Sequence, residues 1–232
     1  MIIKALLPMK ANSERVPGKN FKEFNNKPLF KWVLDNLVEI DLIKEIVINT
    51  DARNILEGLN VHKNSKIFIR DRKPEICGDF ISMNEIIYDD IENTEANIFL
   101  MTHTTNPLLE KSTIVSAINK FKKALSFKEA DSLFSVNKIQ SRFYDKDTKP
   151  INHNPKSLLR TQDLEPWFEE NSNFYLFTKE SFIETRSRIG KKPIMHITNP
   201  IESIDIDTKE DWDLAEMISI QKEKIKLSKE NI

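Results

Sequence analysis

The sequence predicts an α/β domain with a mostly parallel sheet and helices on both faces. Two observations carry the prediction. Over residues 1–135, short apolar runs of strand length alternate with longer stretches of helical period, and β-α alternation of this kind builds a parallel sheet. The first run, residues 2–8, is apolar but for Lys4, as expected of a strand covered on both faces. The length agrees. Against a norm of roughly 150 residues per domain, 232 residues are read as one domain, 1–232, with an excursion.

Residues 2–8 are the first apolar run. Pro28 suits the first turn of a helix, and Leu29, Trp32, Val33 and Leu37 follow at helical spacing, predicting a helix over 28–40. Ile46-Val47-Ile48 marks a second strand, 45–50, running into the polar Asn49-Thr50-Asp51. Next come a short helix over 52–59 ending near Gly58, a strand at 66–69, a helix over 81–91 and a strand at 96–101. A helix over 112–125, through Ile114, Val115, Ile118 and Phe121, leads to a strand at 132–136. Residues 138–170 break the pattern, being polar, without period, and carrying Pro150, Pro155 and Pro166. So long an irregular stretch inside a compact domain is functional or belongs to an interface. Strands return at 173–177 and 194–198. A terminal helix over 209–226 turns Trp212, Ala215, Met217 and Ile218 inward, with 226–232 frayed.

Composition excludes several function classes. Lys and Arg number 35 against 36 Asp and Glu, a net charge of −1, without the basic excess of a dedicated nucleic-acid binder. Hydrophobic residues are 39% of the chain, and the apolar runs are far shorter than the ~20 residues of a membrane span. The N-terminal run lacks a basic flank and a cleavage site, so it reads as a strand, not a signal peptide. A single cysteine, Cys77, rules out an internal disulfide and a cysteine-based zinc site, and suits a reducing cytoplasm. His62, His153 and His196 form no ligand-spaced pair. The Lys120, Lys122 and Lys123 group reads as the wet face of a helix.

In a parallel sheet, ligands bind beyond the carboxyl ends of the strands. Three polar segments occupy such places. Residues 8–20 follow the first strand and gather Lys10, Arg15 and Lys19 among small residues. Their backbone N–H groups and cations suit a phosphate, or else the loop is simply basic and solvated. It is neither a Walker loop nor a dinucleotide fingerprint, since both glycine patterns are absent. In the second segment, Asp205 and Asp207 alternate with isoleucines, so an extended chain turns both carboxylates one way. Two hard oxygen ligands suit Mg²⁺ shared with substrate phosphates. Equally, Asp207 or Thr208 caps the following helix, with Asp211 in a near-miss of the capping box. The third segment, Asn49-Thr50-Asp51 with Arg72 downstream, reads as a base or ribose contact or as ordinary helix capping by Asp51.

Taken together, these segments resemble the acylneuraminate cytidylyltransferase family, the CMP-sugar synthetases. Residues 9–20, Met-Lys-Ala-Asn-Ser-Glu-Arg-Val-Pro-Gly-Lys-Asn, stand where the family has A-R-x-x-S-K-x-x-P-x-K-N. Asn26-Lys27-Pro28-Leu29 is similar to G-K-P-L, and Asn49-Thr50-Asp51 to S-T-D. Arg72-Lys73-Pro74-Glu75 with Gly78-Asp79 is similar to R-P-x-E…D. Thr104-Thr105-Asn106-Pro107-Leu108 is similar to P-T-S-P-L, and residues 202–208 to D-S-I-D-I-D-T. The matches run in order from residue 1 to about 215.

The resemblance implies a Rossmann-like sheet of the nucleotide-diphospho-sugar transferase type. It implies transfer of CMP from CTP to the hydroxyl of a nonulosonic acid such as a sialic, legionaminic or pseudaminic acid, with pyrophosphate leaving. Lys19, Lys10 and Arg15 take catalytic places by this resemblance. Ala11, Asn12, Ser13, Asn20, Asn49, Asp51 and Arg72 bind CTP, with Asn20 and Arg72 on cytosine. His103, Thr105, Asn106, Arg160, Asn171 and Tyr175 face the acceptor, and Asp205 and Asp207 hold Mg²⁺. The 138–170 excursion would reach across a homodimer.

The departures fall mainly on the acceptor side. Lys10 stands for the family's Arg and Glu14 for its Lys. His103 stands for its Gln, Leu109 for its Arg, and Asn171-Ser172 for its N-G. An octulosonic acid or phosphonate acceptor, or a non-catalytic nucleotide-binding subunit, are the alternatives. His103 itself reads as a hydrogen-bonded residue at a strand end ahead of a catalytic base.

Overall fold

A computed structural model describes residues 1–157 and 159–230. The first apolar run forms β1 (Ile3–Leu6). A hairpin absent from the sequence reading follows, β2 (Glu23–Phe24) and β3 (Lys27–Pro28). Its two turn residues, Asn25 and Asn26, take positive φ of 43° and 69°, a turn that asparagine tolerates and whose twist suits tight hairpins. Pro28 sits at the cap of α1 (Leu29–Val38), not inside it. Then come β4 (Glu45–Thr50), α2 (Arg53–Gly58), β5 (Ile67–Asp71), α3 (Met83–Glu92), β6 (Ile98–Thr102) and α4 (Lys111–Ser126). The second half holds β7 (Ser132–Ile139), β8 (Trp167–Thr178), α5 (Lys179–Thr185), β9 (Pro193–Ile197) and α6 (Lys209–Glu230).

The main sheet runs β5-β4-β1-β6-β8-β7-β9. All its pairings are parallel except those of β8, which is antiparallel to both β6 and β7. The chain winds outward from β1 through β4 to β5, then returns to pair β6 on the other side of β1. That reversal opens a crevice at the carboxyl ends of β1 and β6.

Two apolar clusters cover the sheet faces. One joins Ala5, Ile48 and Leu100 to Leu37 of α1 and Phe121 of α4. The other joins Leu6, Phe99 and Tyr175 to Ile87 of α3 and Phe182 of α5. A third cluster, Val16, Phe24, Leu29, Leu108, Ile206, Trp212 and Ala215, ties the first loop, the hairpin and α6 together. Phe24 is fully buried, edge-on to Trp212 at 5.4 Å and to Trp32 at 5.9 Å. Asn25 fastens the same hairpin to α6 through Glu216 and Ser219. Phe24→Ala should cost about 3–5 kcal/mol in a urea melt, because a full ring's cavity opens beneath the site loops.

Several expectations are corrected. Residues 138–170 are not irregular throughout. β7 and β8 extend past the sheet as a paired arm, Asn137 opposite Glu169 and Ile139 opposite Trp167. Met217 is 68% exposed, while Ser219, at the spacing that continues Trp212 and Ala215, turns inward. Trp32 is only half-buried, its indole N–H donating to Phe24 O at 3.0 Å. The tail expected to fray continues α6 to Glu230, and residues 231–232 lie outside the described residues. Among the described residues no helix is long and apolar enough to cross a membrane.

Candidate active site

The crevice is a cleft of about 340 Å³ lined by Lys10, Ser13, Glu14, Arg15, Lys19, Asn20, Arg72, Asp79, His103, Thr104 and Thr105, among others. Its first wall is the loop after β1. Met9 runs on beside β4, its N–H donating to Asn49 O at 3.0 Å. Gly18, at φ 61°, makes the tight turn that Lys19 N–H to Val16 O closes. A side chain there would be strained. The turn delivers Lys19 inward and 8% exposed, its Nζ 2.5 Å from Ile206 O and 3.4 Å from Asp207 Oδ1. Arg15 closes on the same carboxylate at 2.9 Å. Lys10 pairs with Asp79 across the cleft, and that pairing holds the Asp79 carboxyl below its usual range.

Asn20 stitches the two walls together. Its Nδ2 donates to Lys10 O at 2.8 Å, and its Oδ1 accepts from Thr104 at 2.6 Å. Arg72 reaches back from beyond β5 to Asn49 O and Oδ1, both at 2.9 Å, and to Met9 O at 3.2 Å. Behind it lies a buried charged layer. Asn49 donates to Asp90 at 2.8 Å, and Arg70 pairs with Asp89 at 2.6 Å and Asp90 at 3.2 Å. Burial pushes the Asp90 carboxyl up to about 7.

The third wall is the segment before α6. Ile204 and Ile206 turn into the third core cluster, while Asp205 goes to Ser172 and Asp207 to Arg15 and Lys19. Asp211 accepts from Thr208 N–H at 2.8 Å and returns its own N–H to Thr208 Oγ1 at 3.2 Å. The cap is therefore a reciprocal box with Asp in the Glu place, and it leaves both preceding carboxylates outside it. A β-bulge in β8 brings Ser172 to Asp205 Oδ2 at 2.9 Å. Asp205 Oδ1 is buried with no partner among the described residues. An unpaired buried carboxylate oxygen beside a second carboxylate fits a small divalent cation. With no cluster of three or more acidic, His or Cys ligands among the described residues, such a cation would keep water or phosphate as its other ligands.

His103 sits half-buried on the floor. Burial, then the charges of Arg188 and Lys19, push its imidazole down to about 4, far from a base poised for neutral pH. It is neutral near pH 7. Its folded pKa lies below the unfolded 6.5, so between pH 4 and 6.5 the unfolded chain binds more protons, and stability falls as pH drops through that window. His103→Gln should remove roughly one proton from the uptake on unfolding near pH 5, read from denaturant melts across pH.

Not every expected site residue reaches the cleft. Ala11 and Asp51 meet each other, N–H to carboxylate at 2.6 Å, in a neighbouring recess that shares Arg72. Asn12 is exposed and off the cleft wall. Asn49, Asn106 and Asn171 are buried and spent on the scaffold. Asn49 braces Arg72, Asn106 donates to Ile204 O at 3.3 Å, and Asn171 bonds Asn137 and Thr198. Tyr175 is buried behind the cleft, its hydroxyl on Glu170 at 2.5 Å. Arg160 is 73% exposed on the excursion and pairs locally with Asp163. The sequence reading gave no role to Asp79, Thr104, Ser172 or Arg188. Asp79 stood within a quoted motif, whereas Arg188 carried no local signal at all.

The cytidylyltransferase family profile matches residues 4–232. N-acylneuraminate cytidylyltransferase A of Danio rerio is 29% identical over 227 residues, covering 92% of this chain and 50% of that protein. The chain thus spans about half the length of the fish relative. Pseudaminic acid cytidylyltransferase of Campylobacter jejuni is 24% identical, with 92% and 94% covered. CMP-N,N'-diacetyllegionaminic acid synthase of Legionella pneumophila is 26% identical, with 94% and 96% covered. Among solved structures, CMP:2-keto-3-deoxy-manno-octonic acid synthetase complexed with CTP superposes with a TM-score of 0.67 at 12% identity, over 96% of this chain and 100% of that one. It shares the fold. A profile matched across nearly the whole chain, on a sheet whose reversal opens the cleft built above, places this protein in the cytidylyltransferase family.

Proposed function

We propose that the chain transfers CMP from CTP to the anomeric hydroxyl of a nonulosonic acid. The acceptor hydroxyl oxygen forms a bond to the α-phosphorus and gives its proton to solvent, the bridge to the β-phosphate breaks, and pyrophosphate leaves with the electron pair. The observation that carries this reading is the meeting of Lys19 and Arg15 on Asp207 at a cleft that Lys10 also lines. Lys19 and Lys10 face the phosphates and oppose the charge that grows on the leaving group. Arg72, braced by Asn49, and Asn20 hold the nucleoside end. Asp205 and Asp207 would hold Mg²⁺, which supplies charge neutralisation to the phosphates when bound. The relatives named for sialic, pseudaminic and legionaminic acids favour a nonulosonic acid over an octulosonic one. Mass spectrometry of products formed with CTP and each acid class tests the assignment. A CMP-linked nonulosonic acid supports it, and a CMP-linked octulosonic acid as the sole product contradicts it.

The same reading includes a homodimer in the cytoplasm. Its support is the arm of β7 and β8 and the edge strand β9, which expose Trp167, Phe168, Met195 and Ile197. The lone free thiol of Cys77 suits a reducing compartment. Light scattering at micromolar concentration tests the dimer, and a fully active monomer refutes it.

A further inference from the structure

Close to His103 on the cleft floor stands a cation, Arg188, that neither the motifs nor the phosphate end accounts for. Arg188 lies in the stretch after α5, pinned at its far end by Gly190 N–H on Ser132 Oγ at 2.8 Å. Its side chain is 24% exposed. The guanidinium lies over the Tyr175 ring at 4.0 Å. Its nearest acid is Glu170, at 3.8 Å, outside hydrogen-bond reach. That Glu170 oxygen already accepts from Tyr175 at 2.5 Å. Arg188 is therefore oriented by stacking and by charge, while no hydrogen bond is recorded for any of its donors among the described residues. A planar fork held in this way is ready to take a carboxylate on two donors.

The surroundings point to a ligand. Asn173, in the β8 bulge two residues from Tyr175, is fully buried, and neither its amide nitrogen nor its oxygen has a partner among the described residues. Asp205 Oδ1, held by the same bulge through Ser172, is likewise unpaired. Buried polar groups are rarely left unpaired in a native fold, so two at one bulge mark a place for an absent polar molecule. His103 feels the charges of both Arg188 and Lys19, so the two cations flank one floor.

We propose that Arg188 binds the carboxylate of the acidic acceptor and sets the preference of this site for an acid over its neutral analogue. The inference rests on the reading of the chain as a cytidylyltransferase for an acidic sugar. Lys10 and Lys19 serve the triphosphate at one end, and Arg188 serves the acid at the other.

The test measures pyrophosphate release from CTP with Mg²⁺ by the full chain. N-acetylneuraminic, N,N'-diacetyllegionaminic and pseudaminic acids are the acceptors, each beside its methyl ester. Arg188→Met should raise KM for the active acid about 10–100-fold, the worth of a charge-assisted pair. KM for CTP and the melting temperature should stay unchanged, and Arg188→Lys should recover part of the loss. The acid-over-ester preference of the unmodified protein should collapse in Arg188→Met, which a merely structural role would not produce. An acid-over-ester preference retained in Arg188→Met overturns the proposal, as does a defect in KM for CTP instead. Release from none of the acids by the unmodified protein overturns the underlying cytidylyltransferase reading, and the proposal with it.

Discussion

Lys19→Met is expected to lower turnover by ~10²–10³-fold while leaving the fold intact. The size follows from the setting. Lys19 is 8% exposed and its ammonium is already fixed on Ile206 O at 2.5 Å, so in the proposed reaction its charge would meet the leaving pyrophosphate without reorganising. A cation held in a sheltered cleft is worth far more than one in water. Methionine keeps the packing of the methylene chain and removes only the charge and its bonds. Loss of that hydrogen bond should cost about 1 kcal/mol, a melting shift of about 2–4 °C at this chain length. Steady-state kinetics beside a thermal melt separate the two effects. Turnover within threefold of the unmodified protein would remove Lys19 from the chemistry.

Asp207→Asn and Asp205→Asn should each weaken apparent Mg²⁺ affinity at least ~10-fold and reduce turnover by a comparable or larger factor. The two positions differ in what they hold. Asp207 is 39% exposed and bridges Arg15 and Lys19, so its amide variant also loosens the phosphate end. Asp205 is anchored by Ser172 and presents a buried, unpaired oxygen. Its variant should change metal affinity with little effect on Lys19. Titrating Mg²⁺ against turnover at saturating CTP reads both. An unaltered Mg²⁺ requirement in both variants would remove these residues from the metal site.

The parallel half of the sheet was legible because β1, β4 and β6 each carry a run of apolar residues, Ile46-Val47-Ile48 in β4 and Ile98 to Met101 in β6, of the kind found in strands covered on both faces. The loop after β1 and the Asp205-Asp207 alternation were legible for a related reason, since their chemistry is written in consecutive residues. What stayed hidden depended on distant partners. The β2–β3 hairpin has only two residues per strand, and Phe24 acquires its importance from Trp212, far along the chain. The position of β8 between β6 and β7 reverses the expected parallel succession, and no local pattern marks such an insertion. The short α5 buries only Ser181 and Phe182, too few for a helical period to be seen. Asn49 and Asn171 sit at motif positions yet serve the scaffold, because a motif records residue type and not the direction in which the side chain points. Arg188 gains its meaning from Tyr175 and Glu170, which the fold alone brings together.

The most direct test of the central claim is pyrophosphate release by the full chain with Mg²⁺ and a nonulosonic acid, supplied in turn with CTP, UTP, ATP and GTP. Release that requires both CTP and the acid, with the other nucleotides at background, is the result expected of the cleft formed by Lys10, Lys19, Arg72 and the two aspartates. Failure to bind CTP, or release that is equal with UTP or independent of any acid, would contradict it.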